Sequence, residues 1–219
     1  MNKITFPYWI LPMVFSAAIL LSGCQTQKSA TPAAATAEKQ NAAAPAAPPE
    51  NTATASTPST APAVVVPANT EFRVKAGSDT PFTDAAGHIW QADQGFSGGD
   101  TIQRDPDTKI TGTKDPGMFM TEHYGMDSFS CKIPNGKYTA NLYFCETYDG
   151  ITGPGQRVFS FNVQGHEFKD FDVWAKSGGF GQPYKVTVPV EVTDGVFKID
   201  FTSQIENPEI NAIEIIPNS

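Results

Sequence analysis

YTANLYF, residues 138–144, alternates along its length. Tyr138, Ala140, Leu142 and Phe144 fall on one face, and Thr139, Asn141 and Tyr143 on the other, which is the period of a β-strand with one face turned to a core. The same period recurs at Phe159-Phe161-Val163, at Tyr184-Val186-Val188-Val190 and at Phe197-Ile199-Phe201. Ala86-Gly87, Asn135-Gly136, Gln164-Gly165 and Asp194-Gly195 punctuate these runs as turn signals. No segment keeps a helical period over three turns. Many short strands with this punctuation predict an all-β, two-sheet antiparallel sandwich. Pro189 cannot donate to a ladder, so its strand is expected at a sheet edge.

The strand runs on into CETYDG, residues 145–150, which sets a Glu, a Tyr and an Asp together before a Gly-rich loop. Two carboxylates across a cleft would suit glycoside hydrolysis, so Glu146 and Asp149 are candidates. Parity counts against them: Glu146 continues the inward series and is expected to close the strand as a structural acid, while Asp149 lies beyond it. Calcium is a second option at Asp105-Pro106-Asp107 and Asp170-Phe171-Asp172. Neither has the acid density of a dedicated loop, and both are expected as acids at strand ends. The chain has three histidines, His88, His123 and His166, and no H-E-x-x-H or Walker motif. No metal and no cofactor are expected.

Cys131 and Cys145 flank the turn at Pro134-Asn135-Gly136. Direct pairing of the two strands would set Cys131 opposite Ala140 and turn Cys145 to the other face, which disfavours a disulfide. An arch joining two sheets would remove that argument. Two free, buried thiols are expected.

The chain starts with one early cation, Lys3, then an apolar run, then Leu21-Ser22-Gly23-Cys24. This resembles a bacterial lipoprotein signal, with residues 1–23 removed and Cys24 lipidated. Several acyl chains on one cysteine hold a protein at a membrane, so the expected location is the bacterial cell envelope. Gln25 resembles outer-membrane sorting in a Gram-negative source. Residues 24–68 continue as the lipidated cysteine and an Ala/Pro/Thr-rich tether, too poor in apolar side chains to offset chain entropy. As a flexible coil it would span roughly 35–40 Å.

Residues 69–219 form one domain of ordinary size. The chain has 15 Lys+Arg and 23 Asp+Glu; three and two of these precede residue 69, leaving 12 cations against 21 acids. No basic cluster occurs, so nucleic acid is not an expected partner. A neutral ligand fits better, and a sugar offers apolar faces to aromatic rings and hydroxyls to carboxylates and amides. Side chains of those types gather in four loop-adjacent places: Gln94–Gly99, Glu122–Gly125, Thr147–Gly150 and Glu206–Pro208.

WQADQGFSGG (90–99), TEHYG (121–125), FCETY (144–148), GQRVFSFNVQG (155–165), DFDVW (170–174) and NPEINAIEI (207–215) follow one another in the order of malectin and malectin-like domains. The chain resembles that family over essentially all of 71–216. The resemblance implies a jelly-roll sandwich similar to galactose-binding modules, and carbohydrate binding without catalysis. Malectins recognise α-linked glucose disaccharides such as maltose and nigerose, so an oligo- or polysaccharide containing α-glucoside is the implied partner. Tyr124 and Tyr148 match family site aromatics. Asp149 replaces a second aromatic, Glu206 replaces an Asp before Asn-Pro, and Phe96 would stand for a tyrosine. These departures keep the stacking platform and alter the polar readout. A scaffold of the same fold that binds a protein partner in the envelope is the alternative.

Overall fold

A computed structural model describes residues 64–218. Residues 1–23, Cys24 and the tether up to residue 63 lie outside the described residues. Four short strands come first: β1 (Phe72–Lys75), β2 (Phe82–Thr83), β3 (Ile89–Trp90) and β4 (Phe96–Gln103). A 3-10 turn at Pro116–Phe119 leads into β5 (Thr121–Lys132), β6 (Gly136–Cys145), β7 (Val158–Val163) and β8 (His166–Phe171). A five-residue helix, α1 (Val173–Ser177), precedes β9 (Pro183–Val192), β10 (Val196–Ile205), β11 (Glu209–Ile210) and β12 (Ala212–Pro217).

The strands make two main antiparallel sheets, β1-β12-β6-β9 and β11-β5-β10-β7-β8 with β4 on the other side of β5. A small ribbon, β2-β3, pairs separately, and Gln91 at its end is bridged to β1. The alternation at Tyr138–Phe144 behaves as expected, with Tyr138, Ala140, Leu142 and Phe144 all buried. Phe144 meets Phe161 of the opposite sheet at 5.6 Å between ring centroids, and Phe159, Phe171 and Phe201 complete the aromatic centre. Each such ring contributes about 1.5–3 kcal/mol by leaving water. Pro189 lies on β9, an edge strand, paired only towards β6.

Direct pairing of β5 with β6 does not occur. β5 bonds to β4 and β10, and β6 bonds to β12 and β9, so Asn135-Gly136 tops an arch between sheets. The Asn135 side chain joins this arch to the one between β9 and β10. Its Nδ2 donates to Thr193 O at 2.9 Å, and its Oδ1 accepts from Gly195 N at 2.7 Å. The two cysteines are nonetheless free and buried. Burial pushes the Cys131 thiol up to about 12, so neither it nor Cys145, raised for the same first reason, is a nucleophile at neutral pH.

The outer face of the four-stranded sheet carries a polar row. Arg73 on β1, Glu214 on β12, Asn141 on β6 and Thr187 on β9 are successive cross-strand partners. Arg73 Nε donates to Glu214 Oε1 at 2.6 Å, Asn141 Nδ2 to Glu214 Oε2 at 2.8 Å, and Thr187 Oγ1 to Asn141 Oδ1 at 2.7 Å. Beside it, Trp90, Met118, Phe119, Cys145 and Ala212 form a second, smaller core under the β2-β3 ribbon.

The folded part starts earlier than residue 69. Val66 N–H donates to Lys132 O at 2.8 Å and Lys132 N–H to Val64 O at 2.7 Å, which adds Val64–Val66 to the end of β5. Val66 is buried in the main core. Three consecutive valines are a β-forming, apolar exception in an otherwise polar tether, and the sheet takes them up.

Candidate functional site

The β4-β5 ladder is interrupted at a run of left-handed glycines. The register shifts between Ser97 and Gly98, and Gly98, Gly99 and Gly125 have φ of 70°, 79° and 69°. A Cβ on Gly99 would lie 2.4 Å from Tyr124 O, so this bend requires glycine. Past it, Ile102 of β4 and Glu122 and Tyr124 of β5 turn towards one cleft of about 270 Å³. Tyr148 and Arg104 meet them from the β6 end and the end of β4, and Arg157, Glu206 and Asn207 complete the lining.

Tyr148 follows β6 in a tight turn closed by Ile151 N–H donating to Tyr148 O at 3.0 Å. Its ring leans on the backbone of Gly150, where a Cβ would come within 2.5 Å of ring atoms. The Arg104 guanidinium stands 5.8 Å from the ring centroid, within cation–π range. The ring stays 41% exposed, open enough to meet a ligand.

Beneath it lies a buried polar floor. Arg104 donates from Nη2 to Glu122 Oε1 and from Nε to Thr147 Oγ1, and Thr147 Oγ1 donates to Glu122 Oε2 at 3.0 Å. Arg157 Nε donates to Glu146 Oε2 at 2.7 Å and its Nη1 to Asn207 O at 2.6 Å. Glu146 does accept a backbone bond, from Tyr148 N at 3.0 Å, as a structural acid would. Its larger role is as the fully buried partner of Arg157. Glu209 is also fully buried, and among the described residues neither carboxylate oxygen has a hydrogen-bond partner. Burial first, then the Glu122 and Glu146 carboxylates, hold Glu209 well above the ordinary range. Burial thus favours the protonated form of Glu209.

His123, one residue from Tyr124, faces the other way. Its Nδ1 meets Asp93 Oδ1 at 3.1 Å and its Nε2 meets Gly98 O at 3.0 Å, so both ring nitrogens have an acceptor. Burial alone would lower its pKa, but Asp93, Gly98 O and Asp100 outweigh burial and raise it. Glu122 is raised as well, by burial above all. These three groups share a sign. Each stabilises the fold below its unfolded value, near 4.5 for the acids and 6.5 for the histidine, and loses that contribution as pH rises through its folded value. Stability measured by urea unfolding is thus expected to fall as the pH rises above 4.5, with the histidine adding to the slope above 6.5. His123→Gln should flatten the part of the slope above pH 6.5.

Tyr124, Tyr148 and Glu206, three residues singled out from the sequence, line the one cleft. Glu206 has a left-handed backbone, φ 61°, and its Oε1 accepts from Asn207 N and Nδ2 at 3.2 Å each. Phe96 is a correction. It begins β4 opposite Phe129, before the glycine bend, and packs on Phe129 at 5.0 Å and on His123 at 4.2 Å instead of reaching the cleft. Asp149 sits exposed in the turn after Tyr148 and is not among the lining residues. It is not paired with Glu146 across a cleft, since Glu146 is enclosed by Arg157.

The other acid pairs also have local partners. Asp172 is the N-cap of α1, accepting from Ala175 N at 3.0 Å, and Asp105 accepts from Asp107 N at 2.8 Å. Sequence reasoning missed Ile102, Arg104 and Arg157 as cleft residues. The Gly155-Gln-Arg motif contains a signal for Arg157, but nothing near Arg104 marks it out.

The Malectin domain family model matches residues 70–213. No curated protein matches the chain significantly. Among solved structures, a β-glucuronidase of Bacteroides uniformis superposes with a TM-score of 0.64 at 20% identity, over 71% of this chain and 19% of that one. The ANX2 ectodomain from Arabidopsis thaliana gives 0.58 at 19%, over 68% of this chain and 50% of that one. The plant receptor-like kinase FER, in complex with the peptide RALF23 and LLG2, gives 0.58 at 20%, over 67% of this chain and 48% of that one. The chain thus spans about a fifth to a half of these proteins, and at such identities the likeness concerns the fold. Residue order, sandwich and matched span agree: this chain belongs to the malectin domain family.

Proposed function

We propose that the domain is a non-catalytic carbohydrate-binding module for a neutral glycan, held at a bacterial envelope through Cys24 and the tether. The observation that carries this reading is the convergence of Tyr124, Tyr148 and Glu206 on one cleft. Aromatic rings suit the C–H faces of a sugar, and the Glu206 and Glu122 carboxylates and the Asn207 amide suit its hydroxyls. α-Glucosides are the first ligands to test, on the strength of the family. Tyr124→Ala and Tyr148→Ala are each expected to weaken binding on a neutral-glycan array by about tenfold or more, on the order of 1–3 kcal/mol, with little change in melting temperature. Binding by both variants at the wild-type level would remove the site assignment.

A second reading is a module for a protein partner. It is favoured by the fold's likeness to the FER ectodomain, which is seen with RALF23 and LLG2, and by the exposed Asp149 in place of a stacking aromatic. A glycan array without any hit, together with a stoichiometric partner in a pull-down, would favour it over the first.

A further inference from the structure

We propose that Arg104 and Glu122 are the specificity-determining pair of the cleft, reading two adjacent free hydroxyls on one neutral sugar ring and rejecting its uronate counterpart. This rests on the carbohydrate-binding reading above.

The inference starts from which hydrogen-bonding positions are already taken. An arginine usually grips a carboxylate through two parallel N–H bonds. In Arg104 the side edge is occupied, Nε by Thr147 Oγ1 and Nη2 by Glu122 Oε1. Its charge is matched by Glu122, which is only 2% exposed. What Arg104 still offers is its end edge, Nη1 and one N–H of Nη2, whose charge Glu122 already offsets. Each Glu122 oxygen accepts one bond from the protein, Oε1 from Arg104 and Oε2 from Thr147, and keeps a lone pair. The cleft therefore presents a donor and an acceptor side by side, held by a third side chain. Neighbouring ring hydroxyls complement this, one accepting from Arg104 while the other donates to Glu122. A methylated or missing hydroxyl leaves one of these groups unpaired.

Charge gives the second half of the inference. Arg157 is engaged by Glu146 and by Asn207 O. Glu206, on the cleft wall, accepts from the Asn207 amides and, among the described residues, makes no ion pair. Asp149 is exposed on the turn beside Tyr148. A sugar carboxylate would thus meet the Glu206 carboxylate on the wall, and among the described lining residues both cations are already paired with buried carboxylates. The volume, about 270 Å³, lies just below the roughly 300–1,000 Å³ range of pockets for drug-sized ligands, which suits one ring.

Calorimetry on the purified protein tests this with a neutral methyl hexopyranoside, the matching methyl hexuronide and the monodeoxy derivatives of the neutral glycoside. The wild type should bind the uronide at least about tenfold more weakly. Loss of either of two adjacent hydroxyls should cost at least about tenfold. Arg104→Met should abolish the sensitivity to one of those hydroxyls, and Arg104→Lys should restore part of it, while Tyr124→Ala weakens every member of the series alike. Equal or tighter binding of the uronide overturns the inference, as does an absence of paired hydroxyl sensitivity in the wild type. Either result leaves tyrosine-dependent sugar binding standing. Binding of no sugar at all overturns both readings.

Discussion

Arg157→Ala is expected to destabilise the domain by about 3–5 kcal/mol, because it removes the cation from a group of buried carboxylates. Arg157 is 3% exposed and Glu146 not at all, and the pair is joined at 2.7 Å. Glu122 and Glu209 lie close enough to feel the same charge. Without Arg157, the Glu146 carboxylate is left fully buried without its guanidinium partner. For a domain of this size each kcal/mol moves the midpoint by about 2–4 °C, giving a fall of roughly 6–20 °C at pH 7. The variant also loses the bond to Asn207 O that holds the Glu206-Asn207 wall. Glycan affinity should fall even at temperatures where the protein remains folded. A loss below about 1 kcal/mol would mean that the cluster is solvated and that the buried pair is not what holds the floor.

The second large effect is expected far from the cleft. Glu214→Ala should cost about 2–4 kcal/mol, since it leaves Arg73 Nε and Asn141 Nδ2 without an acceptor while Glu71 still pairs with Arg73 Nη2 at 2.6 Å. Glu214 is 7% exposed and lies at the middle of the four-strand row, accepting from Arg73, from Asn141 and, at 3.2 Å, from Tyr143 Oη. Glu214→Gln keeps the shape and one acceptor and should cost only about 1–2 kcal/mol. Chemical denaturation of both variants, with binding measured in parallel, separates this row from the site: stability drops while glycan affinity does not. A glycan affinity that fell together with stability would show the two faces to be coupled.

The contrast between these two places explains what could be read from the chain alone. Alternation is a local property, so the buried faces of β6, β7, β9 and β10 were legible residue by residue. Which strands pair was less so. Asn135-Gly136 suits a hairpin and an arch equally well, and the choice is made by the need to cover the inner faces of both sheets. At the site, Tyr124 and Tyr148 could be found because motif order carries them. Arg104 could not, because its meaning comes from Glu122 and Thr147, 18 and 43 positions away. Phe96 failed for a geometric reason: the glycine bend that follows it decides which β4 side chains reach the cleft, and a strand pattern does not foretell a bend of that size. Glu146 was read correctly as structural, while the guanidinium that makes it so lies beyond a loop.

The junction of Val64–Val66 with Lys132 has one more consequence. It joins the N-terminal segment to the last residue of β5, whereas Glu122 and Tyr124 lie near the first. At about 3.3 Å per residue, the stretch from Tyr124 to Lys132 covers roughly 25 Å. The domain thus has two poles, one where the chain enters and one where a ligand would dock. A label joined just ahead of Val64 would enter the domain at the end of β5 opposite Glu122 and Tyr124, and is expected to leave sugar binding unchanged.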